Sequence, residues 1–264
     1  MNQKRGQSER EEEDFYLVDW DDIKFPLPKK SDAIVAVNVS GGADSALGTY
    51  ILCNLIRQYN LDIKVRVLSY IRCAFLKPWQ APISQRVYRK LKDMFPEIIL
   101  DQFTQFIPET LEHGVTGEIR QYGQASGDQI IVREFNYYLV NGSKEVYTIY
   151  NFTTQAPEEV EGGMKNRYHE GNTPWFYTTS ILPLNNVMKD WVVGQYYKHD
   201  IVDLFETTRS CEGDINHPVF WPYRDGEKDV HKDIAPDVLP LCGECWWCRE
   251  RQWALDEVHK RLHK

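Results

Sequence analysis

The chain reads as an α/β domain built on a largely parallel sheet, followed by a small four-cysteine element. Three observations predict this. An apolar, β-branched run over 33–39 leads straight into Ser40-Gly41-Gly42-Ala43-Asp44-Ser45 and then a helical pattern. Downstream, β-branched stretches alternate with segments of helical period, as in strands joined by crossover helices. Towards the end Cys211 is followed by Cys242, Cys245 and Cys248, a C-x2-C-x2-C run with one distant partner.

The bulk properties set the frame. A chain of 264 residues can bury a sizeable core, and one domain with an appendage is the natural expectation. Its 42% hydrophobic and 27% charged residues are ordinary for a globular protein. No apolar run approaches the roughly 18 residues of a membrane span. The polar segment 1–14 is the opposite of a signal peptide, so a cytoplasmic location without membrane contact is expected. A net charge of −8 disfavours nucleic acid as the direct substrate, because phosphate contacts need an excess of Lys and Arg. A small-molecule substrate is favoured, and a homodimer is left open.

Taken in order, residues 1–14 form a solvated tail ending in the charge block 11–14. Phe25-Pro26-Leu27-Pro28 is a stiff, extended lead-in to the first strand. A helix follows over 44–59, with Leu47, Ile51, Leu55 and Ile56 on one face. The alternating stretch 62–71 predicts a strand, 85–95 a helix stopped by Pro96, and 97–103 a third strand. A helix over 127–139 is closed by Asn141-Gly142, and 145–152 predicts another strand. From 153 to 183 the pattern dissolves, which suggests a lid, a binding loop or disorder; Tyr168-His169-Glu170 lies within it. Residues 186–200 are helical, prolines break the chain between 218 and 240, and a last helix spans 246–262. These elements divide into a tail and lead-in (1–30), a nucleotide-binding α/β domain (31–205) and a cysteine element with its helix (206–264). No internal repeat is present.

The glycine segment has the makings of a phosphate cradle. Glycines let the backbone approach an anion, and the following helix start offers unpaired N–H groups and the positive end of the dipole. Asp44 and Ser45 stand where a helix cap is expected. No Gly-Lys-Ser/Thr follows, so this is not a Walker A loop.

C-x2-C-x2-C at the mouth of the last helix gathers Cys242, Cys245 and Cys248 within about two turns, and Cys211 can complete a set of four. Four thiolates around Zn²⁺ make a closed, structural site. An iron–sulfur cluster takes the same ligands and remains open. Disulfides are disfavoured without a secretory signal. Gly243 eases the turn, and Trp246 and Trp247 are placed to shield a metal. Cys53 and Cys73 fall on core elements and are expected to be inert thiols. His259 and His263, four apart on the last helix, are expected to be solvated rather than ligands. Arg249 and Arg251 are placed to meet either thiolate charge or a phosphate.

The segment Ser40-Gly41-Gly42-Ala43-Asp44-Ser45 resembles the SGGxDS loop of the PP-loop ATP pyrophosphatases. Paired with the cysteine element it resembles the 7-cyano-7-deazaguanine synthase family of queuosine biosynthesis. Pro183-Leu184, Lys189-Asp190 and Thr208-Arg209-Ser210-Cys211 match that family's central passages, and Cys242-Gly243-Glu244-Cys245 with Cys248-Arg249-Glu250-Arg251 its C-terminal signature. The resemblance implies a Rossmann-like, adenine-nucleotide α-hydrolase-like fold. It also implies ligation of ammonia to 7-carboxy-7-deazaguanine through an adenylated carboxylate, then ATP-dependent dehydration of the amide to the nitrile. Ser40, Gly41, Gly42, Asp44 and Ser45 would hold ATP with Mg²⁺, Lys189 and Asp44 would be catalytic, and the cysteines would hold Zn²⁺.

The sequence departs from the family on the substrate side. Glu212 replaces the tyrosine after Ser-Cys, Leu68-Ser69-Tyr70-Ile71 replaces Asp-Tyr-Gly-Gln, Arg133 and Asn136 are the remnant of Gly-Arg-Asn, and 151–157 lacks Tyr-Pro-Asp. Asn2 stands where a glutaminase would carry cysteine, so free ammonia is the expected nitrogen donor. The alternatives are an ATP-dependent RNA-thiolating or adenylating enzyme and a catalytically degenerate nucleotide-binding protein.

Overall fold

The computed structural model describes residues 14–72, 80–107, 132, 134–161, 175–176, 180–211 and 241–263. Among these residues six strands form the main sheet: β3 (Ala33–Asn38), β4 (Ile63–Arg72), β5 (Ile99–Ile107), β6 (Ile149–Tyr150), β7 (Trp175–Phe176) and β8 (Ser180–Leu182). Their order is β5-β4-β3-β6-β8-β7; every neighbouring pair is parallel except β7 with β8, which is antiparallel. Helices among these residues include α1 (Ala43–Gln58), α2 (Gln80–Met94), the short α3 (Glu158–Glu161), α4 (Lys189–Lys198), α5 (Val202–Thr207) and α6 (Trp246–Leu262). No helix among the described residues is long and apolar enough to cross a membrane.

Strand period 2 loads both faces of the sheet. Val35 and Val37 of β3 belong to the large core, with Leu47, Ile51 and Leu55 of α1, Val87 and Leu91 of α2 and Val192 and Tyr196 of α4. Ala36 points to a smaller cluster on the opposite face with Leu68, Leu139, Val146 and Ile149. The chain leaves β3 towards β4 and β5 on one side and returns as β6 on the other. That reversal is a switch point, where an open α/β sheet holds ligands beyond its strand ends. The glycine segment follows β3 at that place.

The windows for β3, α1, β4, α4 and α6 agree with expectation. Helix α2 starts at Gln80 rather than 85 because Pro82 falls in its first turn, where the missing N–H costs nothing. Phe25-Pro26-Leu27-Pro28 is more than a lead-in. It belongs to β2 (Ile23–Pro28), which pairs antiparallel with β1 (Phe15–Trp20) as a separate two-stranded sheet. Phe25 and Leu27 are fully buried, and the Tyr150 hydroxyl donates to the Pro26 carbonyl at 2.7 Å, fastening the hairpin to β6.

Elsewhere the local pattern misled. Of 145–152 only Ile149–Tyr150 is strand, although Tyr147 N–H already donates to the Ile34 carbonyl at 2.7 Å. Within 153–183, where no pattern is visible, lie α3, β7 and the fifth parallel strand, β8. Three residues cannot display a period, and Pro183 directly after them reads as loop. Of the helix expected over 127–139, the described residues 132 and 134–137 are helical, and it ends in a π-helical turn, Tyr138–Gly142, while 127–131 and 133 lie outside the described residues. The tail 1–13 and Pro218, Pro222, Pro236 and Pro240 also lie outside them. Helix α6 is not peripheral: Cys248, Ala254 and Val258 join the same core as α1 and α4.

Candidate functional site

The loop after β3 is shaped by its two glycines. Gly41 holds φ +88°, and a Cβ there would lie 2.7 Å from Ile83 Cγ2 and 3.1 Å from the Ser84 amide nitrogen. Only glycine permits both the backbone and this contact with α2. Gly42, not Asp44 or Ser45, is the N-cap of α1, with extended backbone at φ −82° and ψ 161° and no side-chain cap. The two expected capping residues sit in the first turn instead. The Ser45 hydroxyl donates backwards to the Gly42 carbonyl at 3.0 Å, and Asp44 turns to another element. A helix start with no capping side chain is suited to an anion.

That other element is α4. Lys189, its first residue, donates from Nζ to Asp44 Oδ2 at 2.6 Å; the two side chains are 3% and 15% exposed. Asp44 Oδ1 is buried with no hydrogen-bond partner. Two further bonds fix the arrangement: Tyr196 Oη donates to the Ala43 carbonyl at 2.6 Å, and Lys189 N–H to the Gln155 carbonyl at 2.8 Å. Sequence-distant segments thus hold an ion pair at the mouth of α1.

The strip after α5 closes the other side. Arg209 N–H donates to the Gly41 carbonyl at 2.8 Å, and the residue is only 8% exposed. Burial lowers the pKa of its guanidinium, while the neighbouring thiols of Cys211, Cys248 and Cys242 act in the opposite direction. A cavity of about 360 Å³ brings together Ser40, Gly42, Asp44, Ser45, Lys189 and Arg209, with Gln80, Phe152, Thr154, Cys211 and Trp247 on its walls. Gly41 does not line it but shapes the loop from behind.

The four cysteines converge. Their sulfur atoms all lie within 4.8 Å of one another, with Cys211–Cys242 at 3.5 Å and Cys242–Cys248 at 3.8 Å. Tetrahedral zinc with Zn–S of about 2.3 Å requires S···S edges of about 3.8 Å, so the set fits a single four-coordinate ion. An iron–sulfur cluster would spread its ligands around a larger inorganic core. Backbone N–H groups of Cys242 and Cys245 point at the sulfurs of Cys211 and Cys242, at 3.5 and 3.4 Å. Gly243 turns the knuckle with φ +76°. Hydrogen bonds with Cys211 and Cys245, then burial, raise the Cys248 thiol, and metal binding would relieve this by taking the thiolate. Cys211 belongs both to this cluster and to the cavity wall.

Other candidates resolve simply. Arg251 donates to Thr208 Oγ1 at 2.9 Å and the Phe205 carbonyl at 3.3 Å, its guanidinium 3.9 Å from the Phe205 ring centroid. It braces the strip that carries Arg209 and Cys211. Arg249, His259 and His263 are exposed; His259 rests edge-on against Tyr197. Cys53 is fully buried and its thiol is raised by burial, as an inert core residue should be. Trp247 lines the cavity, whereas the side chain of Trp246 lies outside the described set. Cys73, Arg133, Tyr168-His169-Glu170 and Glu212 are outside the described residues. Sequence reasoning assigned no role to Arg209, Gln80, Phe152 or Thr154; for Arg209 the signal was its place two residues before Cys211.

No protein-family model matches the chain, and no curated protein matches it. Among solved structures it is similar to the U34-tRNA thiolase NcsA from Methanococcus maripaludis with its 4Fe–4S cluster, at 14% identity and TM-score 0.42, over 65% of this chain and 58% of that one. It is also similar to a 4-thiouridine synthetase in complex with RNA and bound ATP, at 13% identity and TM-score 0.44, over 89% and 55%. A third is the NAD⁺ synthetase from Burkholderia pseudomallei, at 12% identity and TM-score 0.37, over 88% and 80%. The chain thus spans little more than half the length of the first two. Likeness at this level assigns no function.

Proposed function

We propose that this protein is an ATP-dependent enzyme of the PP-loop kind that adenylates a carboxylate and releases pyrophosphate. The observation that carries the reading is the buried Lys189–Asp44 pair beside the uncapped start of α1, inside a cavity closed by Arg209. Ser40, Gly42 and Ser45 would hold the phosphates from the loop side, with Gly41 setting its path. The free oxygen of Asp44 is suited to a Mg²⁺ ion, which would offset phosphate charge. Lys189 would stabilise the negative charge that develops on departing pyrophosphate.

At the finer level the substrate is 7-carboxy-7-deazaguanine. A carboxylate oxygen attacks the α-phosphorus and pyrophosphate leaves; ammonia then displaces AMP to give the amide. In a further ATP-dependent step the amide loses water to give the nitrile. The resemblance of the glycine loop and the cysteine signature supports this choice. The cysteines fit Zn²⁺, which would contribute folding free energy in a closed site.

A second reading, ATP-dependent thiolation of RNA, rests on one observation: Cys211 forms part of the cavity wall, so a thiol centre adjoins the nucleotide site. The net charge of −8 weighs against an RNA substrate. Mass spectrometry after incubation with Mg-ATP, ammonia and 7-carboxy-7-deazaguanine is the test. Amide or nitrile product, absent in Asp44→Ala with metal content unchanged, establishes the ligase. In a parallel incubation with Mg-ATP, tRNA and sulfide, thiolated tRNA, with no amide or nitrile in the first incubation, would establish the second reading. ATP binding without any product would mark a non-catalytic nucleotide-binding protein.

A further inference from the structure

Among the described residues, the charged ones that line the cavity are Asp44, Lys189 and Arg209. Lys189 already has its ammonium 2.6 Å from the Asp44 carboxylate, so the pair together brings no net charge. A polyphosphate needs positive charge, and Arg209 is a second cation in that lining.

Its surroundings suit that task. The backbone N–H of Arg209 is tied to the Gly41 carbonyl at 2.8 Å, which fixes it against the glycine loop. Cys211, two residues on, is a hydrogen-bond partner of its side chain. A guanidinium keeps its charge when buried and carries five donors in a rigid fork whose geometry suits phosphate oxygens. Four thiolates around a divalent ion carry net negative charge, which would hold the guanidinium between the metal centre and the cavity.

We propose that Arg209 is an anion-binding residue of this cavity, poised by the four-thiolate centre to contact the polyphosphate of the nucleotide. This rests on the ATP-dependent reading above. It makes the cysteine element part of the nucleotide site rather than a remote brace.

The test is calorimetric titration of inorganic pyrophosphate and of Mg-ATP into the full chain, its Arg209→Met variant and its Arg209→Lys variant, with the metal-to-protein ratio measured for each. Arg209→Met is expected to keep its metal and fold but bind both probes at least about tenfold more weakly, since a charge-assisted contact is lost. Arg209→Lys should recover part of the affinity, having the charge without the fork. Wild-type affinity in a folded Arg209→Met protein would overturn the assignment. If Arg209→Met does not fold, Arg209→Lys decides: weaker pyrophosphate binding at full metal content supports the role, and unchanged binding removes it. A wild-type protein that binds pyrophosphate but not Mg-ATP would sink the nucleotide reading and leave the anion site standing. One that binds neither overturns both.

Discussion

The Lys189 ammonium lies 2.6 Å from the Asp44 carboxylate although 145 residues separate them in the chain. Both side chains are largely removed from water, so each is tolerated because of the other. Lys189→Met should leave a buried, uncompensated carboxylate and lower stability by about 3–5 kcal/mol. Adding Asp44→Asn should restore much of that loss, because no buried charge is then left alone. Urea denaturation of the two single variants and the double variant measures the coupling. Pyrophosphate release should remain absent in all three. Additive stability losses would mean that the pair is not coupled.

Glycine at position 48 marks a close approach within the core. A Cβ there would lie 2.2 Å from Phe152 Cδ1 and 2.3 Å from its Cγ. Helix propensity alone predicts that Gly48→Ala stabilises α1 by about 1 kcal/mol. Overpacking should reverse the sign and give a net loss of about 1–3 kcal/mol. Combining it with Phe152→Leu should recover part of the loss, as thermal denaturation would show. Gly41→Ala should also destabilise, because its backbone conformation and its contact with Ile83 both exclude a side chain.

The cysteine centre should bind one divalent ion per chain. Elemental analysis of purified protein should find zinc, and the absence of visible charge-transfer absorption would exclude an iron–sulfur cluster. Cys245→Ser should lose metal and solubility together, because binding free energy at such a site is folding free energy. A soluble, folded Cys245→Ser protein without metal would rule out that structural role.

His199 gives the fold a predictable response to acid. Its ring lies against Trp20 at a tilt of 36° with centroids 4.9 Å apart, and Nε2 lies 3.0 Å from Gln195 Oε1 and 4.0 Å from Asp21 Oδ2. Burial holds its pKa below the ordinary 6.5, Lys198 adds to this, and Asp21 opposes it. The unfolded chain therefore takes up a proton that the folded one resists. His199 should contribute its stability fully above 6.5 and lose it as pH falls through the lower folded value. His199→Gln should flatten the urea midpoint between about pH 7 and 5 relative to wild type. Burial raises the Asp21 carboxyl, but bonds from Lys198 and Gln195 outweigh it and leave the pKa below 3.8, so its titration falls outside that window. An identical pH profile in the variant would show that another group governs it.

Local chemistry made part of this protein legible in its sequence. The run before Ser40, the glycine pair, the apolar face of α1 and the two-residue cysteine gaps each carry their signal within about a dozen residues, through period, backbone freedom or ligand spacing. Other features depend on what residues meet after the chain folds. Ser180–Leu182 is too short to show a period and is a strand because β6 lies beside it. Pro26 and Pro28 read as lead-in until β1 pairs with them. Asp44 stood in a recognisable loop, but its partner, the burial of Arg209 and the double membership of Cys211 arise from contacts between segments far apart in sequence. The sequence by itself determined which residues could make a phosphate loop and a metal knuckle, because those devices are local. Only the tertiary structure decided that the two share one cavity, because long-range packing brings Lys189, Arg209 and Cys211 to the end of β3.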